Sequence, residues 1–130
     1  MWWRKSKDDL GCWGEEQAKK FLKQKGYKIL AEHWTCRYGE LDLVAYQNGS
    51  YVFVEVKTRS SDLFGAPEEA IPFWKQNKLR AAAELFLLKN KLRDVFWQID
   101  AVLIKAGPGV GEWQIKHLKN VVEDRRYGRY

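Results

Sequence analysis

The sequence predicts an α/β domain, a mixed β-sheet with helices packed on it in the order αβββαββ. Three observations lead there. Apolar residues recur at helical spacing over residues 8–25 and again from Pro72 to about Asn90. Five short runs rich in β-branched and aromatic residues fill the rest, at 27–34, 38–46, 51–58, 95–105 and 112–119. Turn signals separate the elements, with Gly26 after the first helix, Asn48-Gly49 between the second and third strands, and GPGVG at 107–111.

In the first helix Leu10, Trp13, Gln17, Ala18, Phe21 and Leu22 form the apolar face, and Gly26 suits the stop just past its end. Two glutamates differ in position. Glu15 lies one turn from Ala18 and two from Leu22, on the flank of the apolar face. Glu16 aligns with Lys20 and Lys23, which predicts a solvated i,i+4 pair with Lys20. Asn48-Gly49 predicts a two-residue hairpin turn. In that register Asp42 opposes Glu55 and Glu40 opposes Lys57. Alternation puts these four on one face with Val44 and Phe53, and Leu41, Leu43, Val54 and Val56 on the other. Apolar residues on both faces fit a sheet covered on both sides. SSDLFGAPEEAI reads as a loop. Pro72 suits the first turn of a second helix that buries Leu79, Ala82, Ala83 and Phe86. The tail EDRRYGRY, from about 123, is polar, basic and expected to fray.

With 130 residues, 45% of them hydrophobic and 31% charged, the chain reads as one globular domain over 1–130 and not as a disordered segment. Cys12 and Cys36 form no CxxC pair and have no His at zinc spacing, which predicts reduced thiols and a cytoplasmic protein. The start MWWRKSKDD lacks the apolar stretch of a signal peptide, and no run approaches the length of a membrane span. The net charge is +6, and it is unevenly placed. Residues 72–93 carry Lys75, Lys78, Arg80, Lys89, Lys91 and Arg93 against one acid, Glu84. A basic strip of this kind suits the phosphates of a nucleic acid, and it equally describes a solvated helix face.

The chemistry concentrates on the hairpin. Two carboxylates directly opposed across a strand pair repel, and burial adds a desolvation cost. A cation between them relieves both. An oxygen-only pair without His or Cys points to a hard ion, Mg2+ or Mn2+. Lys57 projects beside the same place, where it can orient or activate a water or stabilise charge on a phosphoryl group. Glu15 is the candidate fourth acid. The competing reading is a plain cross-strand salt bridge between Glu40 and Lys57. Glu40, and Gln76 at the start of the basic helix, are candidate supports for the site, and Arg59, Lys75, Lys78 and Arg80 are candidate phosphate contacts. Arg125, Arg126 and Arg129 of the tail join them. His33 and His117 read as structural histidines, and Asp100, mid-strand among apolar neighbours, as a structural acid.

Five segments carry a resemblance: GEEQA at 14–18, YGELDLVA at 38–45, VFVEVKTR at 52–59, FGAPEEAI at 64–71 and KQNKL at 75–79. Through them the chain resembles the YraN-like family of bacterial proteins, within the PD-(D/E)XK nuclease superfamily, which has relatives among archaeal Holliday junction resolvases. The resemblance implies a restriction-endonuclease-like fold. It implies that Asp42, Glu55 and the Val56 backbone carbonyl bind the metal, that Lys57 is the catalytic lysine, and that Glu15 is the helical glutamate. The chain departs from the family pattern twice. His33-Trp34-Thr35 stands where Asn-x-Arg is usual, and Gln98 stands where an Arg commonly precedes the aromatic-Asp step of the fourth strand.

The functional expectation is a metal-dependent endonuclease that hydrolyses phosphodiester bonds in DNA, branched or damaged forms included, with DNA favoured over RNA as partner. The alternative is a catalytically weak nucleic-acid-binding module of the same fold that acts with a partner. No membrane association is expected, and a homodimer is compatible with the sequence.

Overall fold

The computed structural model describes residues 7–59, 71–107 and 111–122. The predicted loop over 60–70 and the basic tail lie outside them, as do residues 108–110 of the glycine-rich turn. The elements are α1 (Lys7–Gln24), β1 (Lys28–Cys36), β2 (Gly39–Gln47), β3 (Ser50–Arg59), α2 (Phe73–Lys89), β4 (Phe96–Ala106) and β5 (Trp113–Leu118). The five strands form one sheet in the order β1-β2-β3-β4-β5. Neighbours run antiparallel except β3 and β4, which are parallel. A parallel pair needs a crossover, and α2 supplies it. The predicted αβββαββ order and mixed sheet are present, consistent with a restriction-endonuclease-like fold.

The local signals act as their chemistry requires. Gly26 adopts φ +94. Its N–H donates to the Lys23 carbonyl and the Tyr27 N–H donates to Leu22, a Schellman closure of α1. Asn48 and Gly49 both take positive φ, 51 and 81, the left-handed pair a tight hairpin turn demands. Pro72 sits one position before the helix, as its N-cap, with its carbonyl accepting the Lys75 and Gln76 N–H groups at 2.9 and 3.0 Å.

Each face of the sheet carries one helix. Under α1, Ala18 and Leu22 meet Leu43, Val52, Val54, Val102 and Ile104. Under α2, Leu79, Ala82, Ala83 and Phe86 meet Leu41, Val44, Phe53, Ile99 and Leu103. Phe53 anchors that second core, edge-on to Phe86 at 5.6 Å and to Trp97 at 5.8 Å. Such aromatic pairs add about 0.5–1.5 kcal/mol each beyond the area buried.

Strict alternation fails twice: β1 shifts register between Ile29 and Ala31, and a second slip falls further along the same ladder. Leu41 lies in the core under α2 with Val44, three residues on, and not with Leu43, Val54 and Val56. The same slip occurs on β1, where Ala31 and Trp34 both pack on the α2 side. Between them His33 takes φ +49, inside the ladder that pairs Glu32 with Leu43 and Trp34 with Leu41. A left-handed residue turns the strand and re-aims the side chains after it. The candidate site lies at this twist.

Candidate active site

The β2–β3 ladder has the predicted register, from Gln47↔Ser50 to Leu43↔Val54. Beyond that pair Asp42 turns its carboxylate onto β3, where Oδ2 accepts the Val56 N–H at 2.8 Å. Val56 thus meets the site through its N–H. Glu55, the next residue on β3 after Val54, is 4% exposed. Its Oε1 accepts from the Nζ of Lys75, in the first turn of α2. Lys57 is half-buried two residues further along β3.

The electrostatics of this group are under tension. Burial first, and the Glu55 charge second, push Asp42 up to about 7, against the opposing pull of the Val56 N–H. Burial holds Lys57 below the usual lysine range, with the positive charge of Lys75 adding to the effect. Burial also raises Glu15, and His33 works in the other direction. Asp42, Glu15 and Lys57 are therefore displaced toward their neutral forms, as expected where like charges are confined away from water.

Glu15 reaches the site from α1, which approaches β3 very closely. A Cβ placed on Gly14 would lie 1.9 Å from Thr58 Oγ1, so only glycine permits this approach beside Lys57. The neighbour of Glu15 is His33. Nε2 lies 2.6 Å from Glu15 Oε2 and Nδ1 lies 2.6 Å from Glu40 Oε1. The contact with Glu40 is the main reason the His33 pKa is raised. Glu40 therefore pairs with His33 and not with Lys57 across the hairpin, because the strands have parted before that point. Glu16 faces solvent as predicted, but its partner is Lys19 at 2.8 Å, not Lys20. Lys19 is held there by a second acid, Glu32, at 3.1 Å.

The remaining candidates surround this group. Gln76 is half-buried and donates to the Ile71 carbonyl at 3.1 Å, bracing the start of α2. Lys78 is exposed, its ammonium 5.6 Å from the centroid of the Trp74 ring. Trp74 is 63% exposed, and Phe73 beside it 50%. Arg80 donates to Asn77 at 3.0 Å, and Arg59 to the Thr58 carbonyl at 3.2 Å. Asp100 is the structural acid the sequence suggested. It is fully buried and accepts from Gln98, from His117 and from the Asn120 N–H at 2.7–2.8 Å. Gln98 thus supplies one of the three donors to this acid.

Sequence reasoning missed His33, Lys75 as a partner of Glu55, and Gly14. Of these only His33 left a readable trace. The inward residues of β1 change parity between Ala31 and Trp34, which signals an irregularity between them.

Among the described residues no three His, Cys, Asp or Glu side chains converge as a ready metal cage. The donor set instead fits an ion that takes few protein ligands. Mg2+ is typically held by one or two carboxylates and completes its shell with water and substrate phosphate. Asp42 and Glu55 offer that pair, in a place where a cation relieves their repulsion. No helix among the described residues is long and apolar enough to cross a membrane.

The chain is 41% identical to a UPF0102 protein of Roseiflexus castenholzii over 116 residues, which covers 88% of this chain and 94% of that protein. It is 42% identical to one of Syntrophomonas wolfei over 114 residues, covering 86% and 96%. A third, from Caldicellulosiruptor saccharolyticus, is 44% identical over 97 residues, covering 75% and 82%. Residues 14–104, which span Glu15, Asp42, Glu55, Lys57 and Lys75, match the model of the uncharacterised protein family UPF0102, and the chain belongs to that family.

Proposed function

We propose that the chain is a metal-dependent endonuclease hydrolysing phosphodiester bonds in DNA, with the fold and site plan of the PD-(D/E)XK superfamily. The observation that carries this reading is the gathering of Asp42, Glu55 and Lys57 at the parting of β2 and β3, with the two acids in mutual repulsion. Asp42, Glu55 and the Val56 carbonyl would hold Mg2+ or Mn2+. When bound, such an ion polarises a phosphoryl oxygen and lowers the pKa of coordinated water. Lys57 is depressed by burial, so it shares a proton with an attacking water more readily than a solvated lysine does. Glu15, steadied by His33, faces the same space and can orient that water. Lys78, Arg80 and Arg59 supply cations for the strand backbone. Trp74 and Phe73, exposed beside Lys75, can stack on unpaired bases, which favours branched or partly single-stranded DNA over plain duplex.

The test is cleavage of linear, nicked, branched and single-stranded DNA with Mn2+, with Mg2+ and with EDTA. Asp42→Ala, Glu55→Ala and Lys57→Ala should each lower the rate by about a thousandfold, the scale on which such groups act. If Asp42→Ala cleaves like wild type, the enzymatic reading fails. The second reading, a binding module acting with a partner, draws on the Lys75 contact, which compensates Glu55 with no metal at all. Retained DNA binding without cleavage of any form would favour it.

A further inference from the structure

A carboxylate buried as deeply as Glu55 requires a counter-charge. Lys75 supplies it from α2, with its own side chain 30% exposed. The charge of the same ammonium also acts on Asp42 and on Lys57. Its backbone is fixed, since the Lys75 N–H donates to the Pro72 carbonyl at the helix start. Its side chain is not. Lysine carries a compact charge on a flexible four-carbon stem, without the rigid fork that locks an arginine onto a carboxylate. A divalent ion on Asp42 and Glu55 would draw on the carboxylate whose Oε1 Lys75 holds, and the repulsion between ion and ammonium weakens the lysine's contact.

We propose that Lys75 is an exchangeable internal counter-ion, resting on Glu55 while the site holds no metal, displaced when a divalent cation binds, and then free to take a phosphate of the nucleic-acid strand. The inference rests on the reading of Asp42 and Glu55 as metal acids. It adds a coupling to that reading. A phosphate that engages the ammonium removes the competitor from Glu55, so metal and polyanion raise each other's affinity. Lys75 is then a positioning residue whose two partners are used in turn.

Calorimetric titration of the full chain with Mn2+ near pH 8 tests the exchange. Lys75→Met should bind Mn2+ about tenfold more tightly than wild type, equivalent to ~1.4 kcal/mol of relieved competition. Lys75→Arg, which keeps a cation, should not. A second measurement needs no variant. Amine labelling of wild type, read by mass spectrometry, should rise at Lys75 as Mn2+ is added and stay constant at Lys78. In a Lys57→Ala background, chosen to prevent hydrolysis, a short DNA should tighten Mn2+ binding more when Lys75 is present than when it is Met. Equal or weaker Mn2+ binding by Lys75→Met overturns the exchange and leaves the metal site standing. So does unchanged Lys75 labelling where calorimetry shows the metal bound. DNA that tightens Mn2+ binding no more with Lys75 than with Met there overturns the coupling to phosphate. Absence of Mn2+ binding in every protein overturns this inference together with the metal site itself.

Discussion

Asp100 and Asp42 are both aspartates on neighbouring parts of one sheet, and they are treated in opposite ways. Asp100 is wholly buried and surrounded by donors, Gln98, His117 and the Asn120 N–H. Lys25 lies 3.2 Å from the other imidazole nitrogen of His117, an arrangement in which Nδ1 accepts and Nε2–H donates to Asp100. The network ties β4 to β5 and to the end of α1. Asp42 receives one backbone donor and faces a second carboxylate, which together with burial lifts it to about 7. Depth of burial does not distinguish a candidate catalytic acid from a structural one. The balance of donors against like charges does, because the first kind of site is satisfied by the fold and the second is left to be satisfied by something else.

The contrast can be broken most forcefully at Asp100. Asp100→Ala takes the acceptor from three donors, the His117 ring nitrogen buried among them, and should cost about 2–3 kcal/mol in urea unfolding. A loss near zero would mean the network is not structural. Asp42→Asn should do the reverse in metal-free protein. Asn still accepts the Val56 N–H and removes the repulsion. The sign follows from the raised pKa. Below about pH 4 the carboxyl is protonated in both folded and unfolded wild type, and the variant has no advantage. The wild-type penalty grows from there to about pH 7 and is constant above. The site is partly open to water, so a gain of about 1–2 kcal/mol at pH 8 is expected, read as a higher Tm in EDTA. Saturating Mn2+ should invert the order, since wild type gains about 2.7 kcal/mol at a hundredfold excess over Kd. A variant that melts lower than wild type in EDTA, with no metal shift in wild type, would falsify the metal site.

Smaller effects sharpen the comparison. The His33 pKa is raised by Glu40 and Glu15, so His33 contributes stability that is complete below about pH 6.5 and is lost as pH rises through its folded value. His33→Ala should therefore cost about 0.5 kcal/mol at pH 6 and close to nothing at pH 9, the modest size reflecting its exposure. A cost independent of pH would place its role in the β1 backbone alone. Glu16→Ala, on the solvent side of α1, should leave cleavage unchanged, in contrast to Glu15→Ala one residue away.

Much of the fold and the site is legible in the sequence for local reasons. Asn48-Gly49 fixes the register of the hairpin because only left-handed residues make that turn, and the register brings Asp42 and Glu55 to the same end of it. Gly26 closes α1 for the same kind of reason. The features that escape sequence reasoning are not local. Lys75 and Glu55 are twenty residues apart and meet only because α2 crosses from β3 to β4. Pairing Glu40 with Lys57 extends a ladder that ends at Leu43 and Val54. Alternation puts Leu41 on the wrong face because it assumes an unbroken strand, and the left-handed His33, next to the Trp34 that pairs with Leu41, breaks the pattern. The cluster of charges on α2 looks uniform in sequence, although one of its lysines turns inward and another lies beside Trp74.

The helix that carries Lys75 also has a place in time. A hairpin closed by a two-residue turn forms in about 1–10 μs, whereas a parallel pair waits for its crossover to be laid down. The chain therefore brings Asp42 toward Glu55 before α2 can deliver the ammonium that compensates them. During that interval the two acids oppose the very hairpin that holds them, and protonation or a divalent ion is the available remedy. Refolding is accordingly expected to depend on pH and on divalent cations, through the same residues that define the candidate chemistry, and stopped-flow refolding in EDTA and in Mn2+ would read it.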